Sequence, residues 1–298
     1  MNHTMKCAFI LAGLLSAGCA KQRKEVTLDT NETEGIIYGE DNRMQAVAAS
    51  ARLQTVAKST VALVKKASIA RDGAGRTILK SRSYKDTYRL CSSEPFVQEK
   101  IAAFCSGSLI APNQVLTAGH CITQALDCAD TRFVFDFKIN SDGRQSDVVE
   151  RNNLYSCKKI ISHFYTDTGA DFAVIELDRI VLGRTPVKLA TRDDLRSGDE
   201  VIVMGHPSGL PLKIAPGGFV RSVQDQHFVA NLDTYGGNSG SAVFNAKTLE
   251  VEGVLVRGDT DYVRNGLCLV SNRCAEGSCR GEDVTKISSV IAALAARR

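Results

Sequence analysis

The sequence has no block of basic residues. Its 37 lysines and arginines are interspersed with 33 aspartates and glutamates, and the net charge is only +4 over 298 residues. That excludes a phosphate-following basic stripe, so no nucleic-acid partner is expected. The apolar stretch AFILAGLLSAG at 8–18 falls short of the ~20 residues that a membrane span needs. No internal repeat is present, and nowhere do strand-like runs alternate with long amphipathic helices, which excludes a parallel α/β sheet. Histidine is scarce, five in all. None lies near the cysteine-rich CLVSNRCAEGSC (Cys268, Cys274, Cys279), whose spacings are wider than the CxxC pairs of structural zinc sites. Neither metal nor cofactor is expected.

What is present at the start is an export signature. Lys6 followed by the short apolar stretch reads as a signal peptide over 1–18. The segment SAGC sets small residues directly before Cys19 and resembles the lipobox of bacterial lipoproteins, whose cysteine is acylated. Ser16 stands where that pattern prefers Leu, and plain signal-peptidase cleavage at the same small residues is the alternative. The protein is therefore expected to be secreted, periplasmic, or tethered to the envelope through a lipid on Cys19. Residues 19–35 are polar and charged and read as a tether or propeptide, with the folded domain expected over 36–298. Setting aside Cys7 and Cys19 leaves eight cysteines, at 91, 105, 121, 128, 157, 268, 274 and 279. An even number in an exported chain reads as disulfides.

A composition of 44% apolar and 23% charged residues suffices for a real core. Residues 45–67 read as a helix and then a strand at STVALVKK. Beyond them come short β-type runs separated by turn residues: CSGSLIA, QVLTAG, RFVFDFKI, FAVIEL, VKLA, EVIVMGH, GFVRSV, HFVANL, SAVFN, EVEGVLVRG and GLCLV. Many short strands at regular intervals predict an all-β barrel or sandwich. The last segment, EDVTKISSVIAALAAR, carries Val284, Ile287, Val290, Ile291 and Leu294 at helical spacing behind acidic residues, and predicts a closing helix. No second domain is expected after it.

Three segments carry chemistry. CSGSLIAPNQVLTAGHC puts His120 after a β run and an Ala-Gly turn, bracketed by Cys105 and Cys121. DFAVIEL opens on Asp171 ahead of residues that bury on both faces, so its carboxylate enters a dry site that a histidine can satisfy. GGNSGS sets Ser239 between glycines, which lets the backbone turn its amides toward one point. A serine that cleaves amides needs a histidine base, a carboxylate that fixes the imidazole tautomer, and amide donors for the oxyanion. Asp167 and Asp178 rival Asp171, but the first lies in a polar turn and the second ends the strand. Ser241 rivals Ser239 without the GNSG setting. His163, His206 and His227 read as structural, with His206 in GHPSG also a candidate to line the pocket loop.

Together these segments resemble the trypsin-like peptidases, whose motifs run TAAHC, an Asp before an apolar strand, and GDSGGP, in the same His, Asp, Ser order. The resemblance implies an all-β, chymotrypsin-like pair of six-stranded antiparallel barrels with a cleft between them. It implies a serine endopeptidase acting on protein or peptide substrates, with the amides of Gly237 and Ser239 as the oxyanion hole and a Cys105–Cys121 disulfide. Cys128–Cys157 and two pairings among Cys91, Cys268, Cys274 and Cys279 complete the expected set, in a protein expected to be monomeric. Asn238 replaces the Asp of the animal digestive enzymes, so the salt bridge by which a freed N-terminus orders their oxyanion loop cannot form. GNSGS, IIYGEDNR and GHPSG look like the bacterial branch that includes the glutamyl endopeptidases, and place a mature N-terminus near Ile36.

Asp233, six residues before Ser239, stands where trypsin-like enzymes have the base of the primary pocket, beside Thr234. A carboxylate there favours cleavage after Lys or Arg; the alternative is a hydrogen-bonded structural acid. Arg257, two residues after Leu255 in the strand VEGVLVRG and where trypsin-like enzymes carry a tryptophan, is expected to neutralise Asp233 or to select acidic substrate. Two other classes compete: a peptide- or partner-binding pseudoprotease of the envelope, and a redox or metal protein built on the cysteines.

Overall fold

A computed structural model describes residues 36–166 and 168–296. The expected signal peptide, Cys19 and the 19–35 segment lie outside the described residues. Six antiparallel strands close a first barrel: β1 (Thr60–Lys65), β2 (Cys105–Ala111), β3 (Gln114–Thr117), β4 (Thr131–Phe135), β5 (Leu154–Tyr165) and β6 (Asp171–Leu177). They run in the order β4-β5-β6-β3-β2-β1, and β1 pairs back onto β4. Six more make the second: β7 (Glu200–Gly205), β8 (Lys213–Val223), β9 (His227–Ala230), β10 (Ala242–Asn245), β11 (Val251–Arg257) and β12 (Glu282–Lys286). Their order is β7-β10-β11-β12-β9-β8, and the β7–β8 pairing closes the ring while Met44–Gln45 adds to β8. This is the two-barrel architecture that the trypsin-like resemblance implies.

Period-two alternation explains why these runs become barrel walls. In β1, Val61 and Leu63 join Val115, Phe133, Phe135 and Tyr155 in one buried cluster. Their neighbours Ala62 and Val64 point the other way and pack with Leu79, Val134 and Val149. In β7, Val201 and Val203 share a core with Val220, Phe228, Val243, Leu255 and Val284. The alternate residues Ile202 and Met204 belong instead to the cluster that includes the first barrel's core, so one apolar layer joins the two barrels.

Several sequence expectations need correction. EDVTK is not the start of the closing helix but the strand β12, and the helix spans only Ile287–Ala295. VKLA forms no strand; Leu189 makes a single bridge to Val251. GLCLV contributes Cys268–Ser271, which pairs with Tyr262–Asn265 in a hairpin outside both barrels. The twelve-residue β5, paired to β6 from Cys157↔Leu177 to Tyr165↔Asp171, has no counterpart in the sequence reading. The expected helix before STVALVKK is Ala51–Ala57, with Ser50 accepting from the Leu53 amide as its N-cap. The cysteines pair as Cys91–Cys268, Cys105–Cys121, Cys128–Cys157 and Cys274–Cys279.

Candidate active site

His120 sits in a single turn, Gly119–Cys121, just past the end of β3. That turn lies against the start of β6, where Asp171 is fully buried. The His120 ring nitrogen Nδ1 lies 2.7 Å from Asp171 Oδ2. The other carboxylate oxygen accepts the amides of Gly119 at 2.6 Å and His120 at 3.1 Å. A buried carboxylate can only accept, so Nδ1 carries the proton toward Asp171 and Nε2 keeps its lone pair. Gly119 is required by this approach: a Cβ there would lie 2.1 Å from the Phe164 carbonyl oxygen. Thr285 of β12 fixes the Asp171 main chain, its hydroxyl 3.1 Å from both the amide and the carbonyl of Asp171. The aspartate is thus held from both barrels.

Ser239 lies in the loop between β9 and β10, half-buried between Gly237 and Gly240. Those glycines have φ of +86° and +88°, which residues with a Cβ avoid. The Ser239 carbonyl accepts from the Ser106 amide at 2.8 Å and lies 3.8 Å from the Cys121 sulfur. Ser106 therefore lashes the serine loop to the disulfide beside His120, and its hydroxyl donates to the Gly237 carbonyl at 2.7 Å. Among the described residues no acceptor takes the amide of Gly237 or of Ser239. Sequence reasoning missed Ser106 and Thr285; the only signal for Ser106 was its place directly after Cys105.

The three residues expected to meet substrate have internal partners. Asp233 is buried, and its two oxygens accept the amides of Tyr38 and Asn42, each at 2.8 Å. Burial pushes its pKa up to about 6, against the lowering effect of those amides. Thr234 is buried and donates to Glu282 at 2.8 Å. Arg257 does not meet Asp233. Its guanidinium contacts Asp283 at 3.2 Å and the carbonyls of Thr166 and Gly169, and lies 3.9 Å from Asp171.

Of the other histidines, His163 reaches the Gly119 carbonyl through Nε2 at 3.1 Å. His206 is buried, bonded by Nδ1 to the Leu210 carbonyl at 3.0 Å, and burial lowers its pKa to about 4. Cys105, His120 and Cys121 bring soft ligand atoms together, but the two sulfurs are bonded to each other and offer no thiolate.

A profile of the trypsin-like peptidase domain matches residues 105–254, a stretch that holds His120, Asp171 and Ser239. The chain belongs to this family. Among solved structures, this trypsin-like peptidase is similar to a Glu endopeptidase in complex with MPD, at 18% identity and a TM-score of 0.50, covering 88% of this chain and 99% of that one. It is also similar to the VesB protease of Vibrio cholerae, at 19% identity and a TM-score of 0.50, covering 86% of this chain and 66% of that one. At these identities the likeness is one of fold.

Proposed function

We propose that the chain is a serine endopeptidase that cleaves peptide bonds through an acyl-enzyme. Ser239 Oγ attacks the carbonyl carbon while His120 Nε2 takes its proton, and Asp171 holds the imidazole in the required tautomer. The amides of Gly237 and Ser239 receive the oxyanion. His120 then returns the proton to the leaving amine, and water releases the acyl group by the same route. The observation that carries this reading is the 2.7 Å contact from His120 to a fully buried Asp171, next to a glycine-flanked serine loop.

Replacing Ser239 with Ala should lower turnover by several orders of magnitude without changing the fold, and should abolish labelling by a fluorophosphonate. Labelling that persists in that variant would refute the assignment, and a wild-type protein that never labels would favour the pseudoprotease. Preference for Lys or Arg at the cleaved bond rests on the negative charge of Asp233, whose oxygens are engaged by main-chain amides. A peptide-library profile with no enrichment for basic residues removes that part of the reading. Four disulfides among the described residues support an oxidising, exported location, with Cys19 as the proposed lipid anchor.

A further inference from the structure

The oxyanion-forming role proposed for Gly237 depends on the orientation of one peptide unit, the one joining Gly236 to Gly237. In a trans peptide the C=O and N–H point in opposite directions, so fixing the Gly236 carbonyl fixes where the Gly237 N–H points. That carbonyl accepts a hydrogen bond from the amide of Ser208, in the GHPSG segment that packs behind the serine loop. The packing is close: a Cβ on Gly237 would lie 2.7 Å from the His206 carbonyl oxygen and 2.8 Å from the Gly209 nitrogen. With its carbonyl held on this side, the peptide must turn its N–H away from the Ser208 loop. Asn238, the residue before the nucleophile, carries no charge with which to order this loop.

Ser208 is itself held in an uncommon conformation. It is a non-glycine residue at φ 51°, ψ 20°, buried, in the left-handed region that a Cβ disfavours. Backbone held there needs outside support. The Ser208 hydroxyl lies 2.5 Å from the hydroxyl of Tyr262, which in turn lies 2.6 Å from that of Tyr84. Directly before Tyr262 in sequence, the buried Asp261 accepts the Gly236 amide on Oδ2 at 2.9 Å. Two adjacent residues therefore grip both polar groups of Gly236: Asp261 its N–H directly, and Tyr262 its C=O through Ser208.

This pair is anchored from outside the barrels. Asn272 donates to the Asp261 carbonyl at 2.7 Å, and Tyr262 pairs with Ser271 across the hairpin that Cys268 belongs to. Cys91–Cys268 ties that hairpin to the segment carrying Tyr84 and Tyr88. The Tyr262 ring packs on two others, 5.3 Å from the Tyr88 ring and 4.9 Å from the Tyr235 ring.

We infer that Asp261 and Tyr262 are positioning residues for acyl transfer, acting through Ser208 and Gly236 to aim the Gly237 amide at the developing oxyanion. The inference rests on the serine-peptidase reading. It assigns to the Asp261–Tyr262 clamp the ordering that Asn238 cannot provide.

The test uses the full disulfide-bonded chain, with a fluorogenic peptide chosen from the library cleavage and a fluorophosphonate as a probe of serine reactivity. Tyr262→Phe should lower kcat about 10–100-fold with KM within twofold, and slow phosphonylation by the same factor, since a misaimed donor costs part of the ~10²–10³ that a lost donor costs. Asp261→Ala should lower kcat further, and Asp261→Asn should recover most of it because its amide oxygen still accepts from Gly236. Ser208→Ala, which removes only the hydroxyl that Tyr262 holds, should reproduce Tyr262→Phe and serves if that variant misfolds. Variants with kcat and phosphonylation within twofold of wild type, or with a raised KM at unchanged kcat, overturn the clamp. A wild-type protein that fails to react with the fluorophosphonate overturns the peptidase reading itself.

Discussion

The two barrels share a strand count and differ in what they bury. The buried polar residues of the first barrel's strands are hydroxyl-bearing, Thr60, Ser106, Ser108, Thr117, Thr131 and Ser162, with Asp171 the one buried charge. In the second barrel and the segments packed on it, Arg43, His206, Lys213, Asp233, Asp261, Glu282, Asp283 and Lys286 are all buried. Burial lowers the His206 pKa to about 4 and leaves its ring neutral, while those groups that carry charge need a partner, because an unpaired charge in an apolar interior is costly. Lys213 meets Glu99 at 2.7 Å, Arg43 meets Asp41 at 2.8 Å, and Lys286 meets Asp193 at 2.7 Å. The first barrel is an apolar frame around one carboxylate. The second is held by charge pairings, of which Lys213–Glu99 and Lys286–Asp193 join distant parts of the chain, and the serine loop is built on it.

The contrast can be broken most sharply at the one buried charge of the first barrel. Asp171→Asn keeps the shape but no longer enforces the Nδ1–H tautomer, so turnover should fall by about 10⁴-fold while unfolding shifts little. Steady-state kinetics together with a denaturation curve checks both halves. Next come the covalent ties. Cys91–Cys268 spans 177 residues and Cys274–Cys279 only five. Loop-closure entropy gives about 5 kcal/mol for the first and about 2 kcal/mol for the second. Replacing each pair with Ala should lower the melting temperature far more at Cys91–Cys268; equal losses would mean the long tie does not constrain the unfolded chain.

In the apolar frame, Phe133→Ala empties a fully buried position and should cost about 3–5 kcal/mol, with little dependence on pH. In the second barrel the dependence on pH is the expected signature. Burial pushes the Glu282 pKa from 4.5 up to about 8, and that of Asp233 from 3.8 up to about 6. An acid whose pKa is raised on folding binds more protons in the native state. Its contribution to stability is therefore complete below the unfolded value and is lost as pH rises through the native one. The stability these two acids supply should fall between pH about 4.5 and 8 by an amount on the order of a few kcal/mol, against an opposite rise between pH about 4 and 6.5 from His206, whose pKa burial lowers. Glu282→Gln still offers an oxygen to Thr234 and should flatten most of that slope, as urea midpoints at pH 5 and pH 8.5 would report; an unchanged slope would place the titration elsewhere.

The same contrast explains what could be read in advance. First-barrel runs such as CSGSLIA and FAVIEL name their own strands, because their cores are apolar and local pattern suffices. EDVTK looks like the acidic start of a helix, yet all five residues are buried in β12. Glu282 is satisfied by Thr234, Asp283 by Arg257, and Lys286 by Asp193, partners that no local window contains. LYSCKKIISHFY was missed for the opposite reason: exposed Lys158 and Lys159 mask the alternation, and they pair with Glu176 on the neighbouring strand.

For the site, the residues read along the chain were enough to name the candidates His120, Asp171 and Ser239, because glycine-flanked turns and a carboxylate before an apolar strand leave local marks, and their order resembles that of the trypsin-like peptidases. The tertiary structure decided everything that depends on which distant groups meet. It gave Asp233 to the amides of Tyr38 and Asn42, Arg257 to Asp283 and the carbonyls of Thr166 and Gly169, and the Gly236 peptide to Ser208 and Asp261. A hydrogen bond between residues far apart in sequence follows from the closure of a barrel, and no periodicity along the chain encodes it.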